Sequence, residues 1–186
     1  MAKFNYNMIA IGAGSGGLVS TFIASAVKAK VALIEKNKMG GDCLNTGCVP
    51  SKALISSAKA VQMLNKHTLY GLKNVSYEVD FALTMERVQE IITKLEPHDS
   101  VARYSSLGVE CHIGKAMIRS PHEVEVNGQV LTTKNIVVAT GARPFVPPTP
   151  GLEDVQFSHS GNIWDLRKQP KHLAVIGGGP IGSELA

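Results

Sequence analysis

Gly12-Ala13-Gly14-Ser15-Gly16-Gly17 stands where a short apolar run, Met8 to Ile11, gives way to helical periodicity. Gly12, Gly14 and Gly17 satisfy G-x-G-x-x-G, each with its own physical task. The first permits a tight turn, the second lets backbone approach a diphosphate, and the third lets helix pack on strand. The helix from Gly16 to about Lys28 then offers its N-terminal N–H groups and the positive end of its dipole to that diphosphate. Val31 to Ile34 reads as a second strand closed by Glu35, 18 residues after Gly17 (35 minus 17). An acid there can accept hydrogen bonds from ribose hydroxyls. Residues 8–35 are therefore expected to form a βαβ unit, the start of a parallel α/β sheet.

A second feature follows at once. Gly40-Gly41-Asp42-Cys43-Leu44-Asn45-Thr46-Gly47-Cys48-Val49-Pro50-Ser51-Lys52 carries a pair of cysteines five apart, then an apolar helical run. A distorted helical turn at Gly47 can bring two such sulfurs into bonding range, which requires Cα atoms within about 7 Å. A bridge over so short a loop contributes little as a structural staple. A dinucleotide site followed by a close cysteine pair suggests electrons moving between a bound cofactor and a disulfide. Two buried thiols that never pair are the alternative, and zinc is disfavoured because no second Cys or His pair lies at ligand spacing.

Gly40 to Lys52 resembles the redox-active disulfide motif of the class I pyridine nucleotide-disulfide oxidoreductases, which include dihydrolipoamide dehydrogenase, mercuric reductase and glutathione reductase. The resemblance runs from about residue 6 to the last residue, with several motifs in the right order. It implies a Rossmann-like FAD/NAD(P)-binding fold: parallel sheet, helices and a three-stranded β meander. It implies FAD on Gly12, Ala13, Gly14, Ser15, Gly16 and Gly17, with Glu35 on the adenosine ribose and Lys36, Gly41 and Asp42 also in the cofactor site. Cys48 is implied to be the thiol beside the flavin, and Cys43 the more exposed thiol that exchanges with substrate. Lys52 would sit beside the flavin's central ring and pair with Glu184. Gly114 and Ala116 match a backbone segment at the adenine. Ala139-Thr140-Gly141 matches the motif where the chain leaves the sheet beside the cofactor. One departure is Lys28, near the place where a glycine usually ends the first helix.

The rest of the chain fits that plan. Leu54, Ile55, Ala58, Val61 and Leu64 form an apolar stripe on a helix over residues 50–66. Residues 67–80 read as a polar connection. Residues 81–96 return to helical period, with Leu83, Val88, Ile91, Ile92 and Leu95 as the core face and Met85 as core. Gly108 to Ile113 is a strand in which Cys111 is a small core side chain. Glu123 to Val126, Asn127-Gly128 and Gln129 to Thr132 read as a hairpin, because Asn-Gly tolerates positive φ at both turn positions. Asn135 to Ala139 is a buried strand, followed by a stiff exit through Pro144, Pro147, Pro148 and Pro150. Trp164 reads as core.

Leu173 to Ile176 then leads, as a strand, into Gly177-Gly178-Gly179-Pro180-Ile181-Gly182, a second fingerprint starting 165 residues after the first (177 minus 12). Two fingerprints predict two dinucleotides, FAD first and NAD(P)H on Gly177, Gly179 and Gly182 second. The domains expected are an FAD-binding domain over residues 1–147 and the beginning of an NAD(P)H-binding domain over 148–186. A chain stopping one turn into a nucleotide-binding helix reads as a fragment of a longer protein.

Composition narrows the rest. The 186 residues are 44% hydrophobic and 18% charged, ordinary globular material. The net charge of +4 is spread without a basic block, so no nucleic-acid footprint is expected. No apolar run approaches the roughly 18 residues that span a bilayer, and the segment before Ile9 is polar and too short for a signal peptide. An odd cysteine count with a labile pair suits a reducing cytoplasm. The resemblance implies a homodimer whose partner subunit supplies a catalytic histidine; no histidine here matches that motif. Ser51 before Lys52 matches dihydrolipoamide dehydrogenases and mercuric reductases, with glutathione reductases lower. Asp42 replaces a common threonine, and Pro180 replaces a tyrosine that gates the nicotinamide pocket in some members. The expected substrate is a small disulfide or dithiol, most nearly lipoamide, with mercuric ion the alternative. A non-catalytic flavin-binding redox module is the reading from another class; a one-cysteine oxidase or peroxidase is disfavoured by the paired thiols.

Overall fold

Val-Ala-Leu-Ile-Glu at 31–35 has no polar/apolar alternation, and a strand of that kind needs cover on both faces. In the computed structural model, which describes residues 4–186, it is β2 (Val31–Glu35), with all five residues buried. The first three residues of the expected FAD-binding domain lie outside the described residues. β2 sits between β1 (Tyr6–Ile11) and β3 (Val109–Ile113), parallel to both, with Met8 opposite Val31 and Leu33 opposite Cys111. The other edge of β1 pairs in parallel with β6 (Gln129–Val138). β6 also pairs antiparallel with β5 (Glu123–Val126), which pairs with β4 (Ala116–Ser120). The sheet order is β3-β2-β1-β6-β5-β4. This is the expected parallel sheet with a three-stranded meander.

Strand alternation divides the core. Ile9, Ala32 and Ile34 face one way, against Tyr6, Val124, Val126 and Leu131. Ala10, Val31 and Leu33 face the other, against Leu18 of α1 (Ser15–Ala26), Tyr104 of α5 (Val101–Ser106) and Val109. The hairpin turn is as expected, with Asn127 at φ 51° and Gly128 at φ 79°. One long β6 replaces the two separate strands read at 129–132 and 135–139. Its last residue is not buried: Val138 is 61% exposed.

The chain divides into two units, one running up to Asn45 and joined by Lys94–Arg143, the other made of Thr46–Thr93 with Pro144–Ala186. The sheet, α1, α5 and a short α2 (Gly41–Asn45) belong to the first. The second is built on α3 (Cys48–Asn65) and most of α4 (Phe81–Leu95), whose Ala53, Met85 and Val88 pack with Trp164. The expected stripes are corrected in part. On α3 the buried residues are Pro50, Ser51 and Ala53, at its start, while Ala58 is exposed. On α4, Leu83 and Leu95 are 61% and 39% exposed, because the covered stripe is centred on Met85 and Val88.

The end of α1 explains the unusual lysine. Lys28 N–H donates to Ser25 O at 2.8 Å and Ala29 N–H to Ala24 O at 3.0 Å. This is a Schellman closure, and its left-handed residue is Lys28 at φ 65°. A side chain there costs about 1–2 kcal/mol. Lys28→Gly should therefore raise the unfolding free energy by about 1 kcal/mol after glycine's own entropy cost. Urea unfolding at constant slope checks this; an unchanged or lower midpoint would count against it.

Candidate functional site

In the first unit, three backbone loops meet where the parallel strands end. Gly12 closes β1 at φ 102°, and a Cβ there would lie 2.2 Å from Ala139 O. Ala139 N–H in turn donates to Ile11 O at 2.8 Å. A Cβ on Gly17 would lie 1.8 Å from Gly12 O, and one on Gly41 (φ 56°) 2.4 Å from Gly14 Cα. Gly40 N–H donates to Ala13 O at 2.9 Å. Only residues without side chains fit these approaches. Gly14 caps α1 with no side-chain hydrogen bond, and no acid stands in the first turn. The first N–H groups of α1 beside exposed Ser15 and Gly16 are thus available to an anion. A diphosphate fits that cradle.

Glu35 does more than its spacing foretold. It is 8% exposed; its Oε2 accepts from Ala13 N–H and its Oε1 from Asn37 N–H, both at 2.7 Å. The carboxylate fastens the glycine turn itself. Four acceptor positions less two in use leave room for ribose hydroxyls. Lys36, next to it, is exposed. Gly114 N–H donates to Glu35 O at 2.8 Å, and a Cβ on Gly114 would meet the Asn127 amide at 2.3 Å. Ala116 turns its methyl toward the Ile9 core, so backbone is what it has to offer. Thr140 and Gly141 are exposed beyond β6, and Asp42 Oδ2 lies 3.8 Å from a Cβ placed on Gly141. Asn45 escaped the sequence reading: its Nδ2 donates to Met39 O at 3.0 Å and Gly41 O at 2.8 Å, pinning the Gly40-Gly41 loop. Its place four residues after Gly41, on a helix only five residues long, was the available signal.

The cysteine stretch is not one helix. α2 ends at Asn45, and α3 starts at Cys48 with Gly47 as its N-cap at φ −122°, ψ −109°. Cys43 is half-buried and Cys48 exposed, the reverse of the expected ranking. Cys48, as the first residue of α3, has no preceding turn to cover it. Cys111 is half-buried on β3, where burial pushes its thiol up and a hydrogen bond with Ser105 pulls it back.

Within the second unit, Lys52 Nζ and Glu184 Oε1 are 2.5 Å apart, the pairing the resemblance implied. Glu184 lies on α6 (Pro180–Leu185). Hydrogen bonds from Lys52 and then Ser51 hold its carboxyl below the usual range. Both partners are substantially exposed, so the pair adds little to stability; what it fixes is the direction of a cation. The second fingerprint repeats the turn of the first: Gly177 is at φ 117°, and a Cβ on Gly182 would lie 2.0 Å from Gly177 O. Gly179 is exposed and caps α6. The expected strand at 173–176 is not formed, and Leu173 and Ile176 are 54% and 76% exposed. A parallel strand needs a hydrogen-bonded neighbour, and these residues have none among the described residues. Among the described residues no three His, Cys, Asp or Glu side chains are grouped to hold a metal, and no helix is long and apolar enough to cross a membrane.

Residues 6–186 match the family model described as pyridine nucleotide-disulphide oxidoreductase. The chain belongs to that family. The chain is 35% identical over 183 residues to the mercuric reductase of Bacillus cereus, covering 98% of this chain and 29% of that one. It is 37% identical over 188 residues to the dihydrolipoyl dehydrogenase of Acholeplasma laidlawii (97% and 55%). It is 34% identical over 183 residues to the glutathione reductase of a Nostoc species (98% and 39%). Among solved structures, the Cu(II) complex of the HOCl-induced flavoprotein disulfide reductase RclA from Escherichia coli superposes with a TM-score of 0.77 at 26% identity. That match covers 96% of this chain and 38% of the other. The chain thus spans between about a third and about half of the length of these relatives.

Proposed function

We propose that this chain is the flavin-binding and thiol-bearing part of an oxidoreductase that passes electrons between NAD(P)H and a small dithiol or disulfide, most nearly as a dihydrolipoyl dehydrogenase does. The observation that carries the reading is the contact of Gly41 with Gly14. It ties the start of the cysteine helix α2 to the diphosphate turn, so Cys43 stands two residues from the cradle. In this reading residues 1–147 bind FAD and residues 148–186 begin the NAD(P)H-binding domain. The whole protein would work as a cytoplasmic homodimer, with a partner subunit supplying the base.

A bound flavin supplies two-electron exchange with a nicotinamide. The chain's own residues supply the rest. Gly12, Gly14, Gly16 and Gly17 hold the diphosphate by backbone, and Glu35 orients the ribose. Lys52, aimed by Glu184, places a positive charge where negative charge develops. A substrate thiolate attacks Cys43 Sγ of the Cys43–Cys48 bridge and releases Cys48 as thiolate. The second substrate thiolate then attacks the substrate sulfur of the mixed disulfide and expels Cys43. The substrate leaves as a disulfide, and its two electrons stay on Cys43 and Cys48 until NAD(P)⁺ takes them.

A second reading, mercuric reductase, is supported by the near-equal similarity to the Bacillus cereus relative. Its substrate would be a soft divalent cation on the same two thiolates.

Anaerobic reduction of the full-length protein by NADH and by NADPH tests the reading, with alkylation used to count thiols. Two electrons should expose two new thiols, at Cys43 and Cys48, and lipoamide should turn over faster than mercuric ion or glutathione disulfide. Flavin reduction with no change at either cysteine would remove the disulfide from the mechanism.

A further inference from the structure

The turn between the cysteines has a built-in defect. In a continuous helix the carbonyl of Thr46 would accept from the N–H of residue 50. Residue 50 is proline and has no N–H. The next carbonyl is served normally, with Ser51 N–H donating to Gly47 O at 3.0 Å. Thr46 O instead accepts from the indole Nε1–H of Trp164, 118 residues further on, at 2.9 Å. That N–H is shared with Ser160 O at 2.8 Å, and Arg167 Nη1 donates to the Trp164 carbonyl at 3.0 Å. Trp164 is 3% exposed, packed against Ala53, Met85 and Val88. The chain's single tryptophan therefore replaces the donor that Pro50 removes.

We propose that Trp164 is a positioning residue for the redox thiols: its indole N–H fixes the Thr46-Gly47 turn and so favours the closed Cys43–Cys48 bridge. This rests on the reading of those cysteines as a redox pair. Closing the bridge forms one S–S bond and releases two electrons and two protons to an oxidant, and opening it takes them back. A turn already held by a buried donor loses less conformational freedom on closing than a loose one. The tether acts through the backbone, at the two residues that separate α2 from α3.

The test is a thiol–disulfide titration of the full-length protein in dithiothreitol buffers, quenched by alkylation and read by mass at Cys43 and Cys48. Trp164→Phe should make the bridge about tenfold easier to reduce, a midpoint about 30 mV more positive for a two-electron couple. Replacing Trp164 by benzothienylalanine keeps the ring shape and deletes only the N–H, so it should give the same shift even where Trp164→Phe folds poorly. Adding Pro50→Ala returns a backbone donor to Thr46 and should recover part of the shift, which a merely structural role for the ring would not do. A wild-type protein with no reversible two-thiol couple would overturn the redox pair and this proposal with it. A normal wild-type couple with an unmoved midpoint in the benzothienylalanine protein would overturn the proposal alone.

Discussion

Gly12→Ala should cost about 2–6 kcal/mol of stability and leave a protein that does not retain flavin. Two separate penalties meet at this residue. Its φ of 102° lies outside the region that L side chains adopt readily, a strain of about 1–3 kcal/mol. Its new methyl would also sit 2.2 Å from the Ala139 carbonyl oxygen. That oxygen cannot retreat cheaply, because Ala139 is held to Ile11 by its own N–H and β6 is paired to β1 along five registered residue pairs. Forcing atoms into such a place costs about 1–3 kcal/mol. Against a total of about 5–15 kcal/mol for a domain, the loss is large. Gly16→Ala is the control for stability alone. Its methyl would meet only the Ala139 side chain, at 3.4 Å, and its φ is ordinary. Urea unfolding separates the two variants, and flavin absorbance is read on Gly12→Ala against the unsubstituted protein. A Gly12→Ala protein that keeps both its flavin and its midpoint would show that the turn does not need glycine there.

The contrast between these glycines shows what a sequence can and cannot convey. The first fingerprint was legible because its spacing is a local backbone requirement: a strand end, a turn and a helix start within six residues. The Asn127-Gly128 hairpin was legible for the same reason. Exposure of Leu83 and Leu95 was not, since helical period defines a stripe but not how wide a neighbour covers it. The strand expected at 173–176 failed on a non-local condition, the absence of a pairing edge among the described residues. Glu35 was placed correctly as an acid at a strand end, yet its two backbone donors come from folding the turn over it. Trp164 was read as core, and so it is, at 3% exposure. Its tie to Thr46 was open to inference from one clue, a proline four residues after a carbonyl that then needs another donor. The choice of donor required the fold.

Serine at either position of the cysteine pair should lower dithiol or disulfide turnover by about a thousandfold or more, equivalent to at least about 4 kcal/mol of activation energy. A hydroxyl neither forms the S–S bond nor holds the electron pair that the bridge carries. Electron transfer from NAD(P)H to an artificial dye needs no thiol and should persist, which separates this loss from a failure to fold. The single variants also decide between two orderings. The resemblance makes Cys43 the exchanging thiol, whereas exposure favours Cys48, at the bare start of α3. A lone exchanging thiol forms a mixed disulfide that nothing resolves. Cys48→Ser should therefore trap a substrate adduct on Cys43, and Cys43→Ser should trap none; mass spectrometry after incubation with an aromatic disulfide reads both. The opposite pattern would mean that access, set where α3 begins after Gly47, decides which sulfur meets substrate. Full turnover in both variants would remove the pair from the chemistry and leave Cys43 and Cys48 as structural thiols.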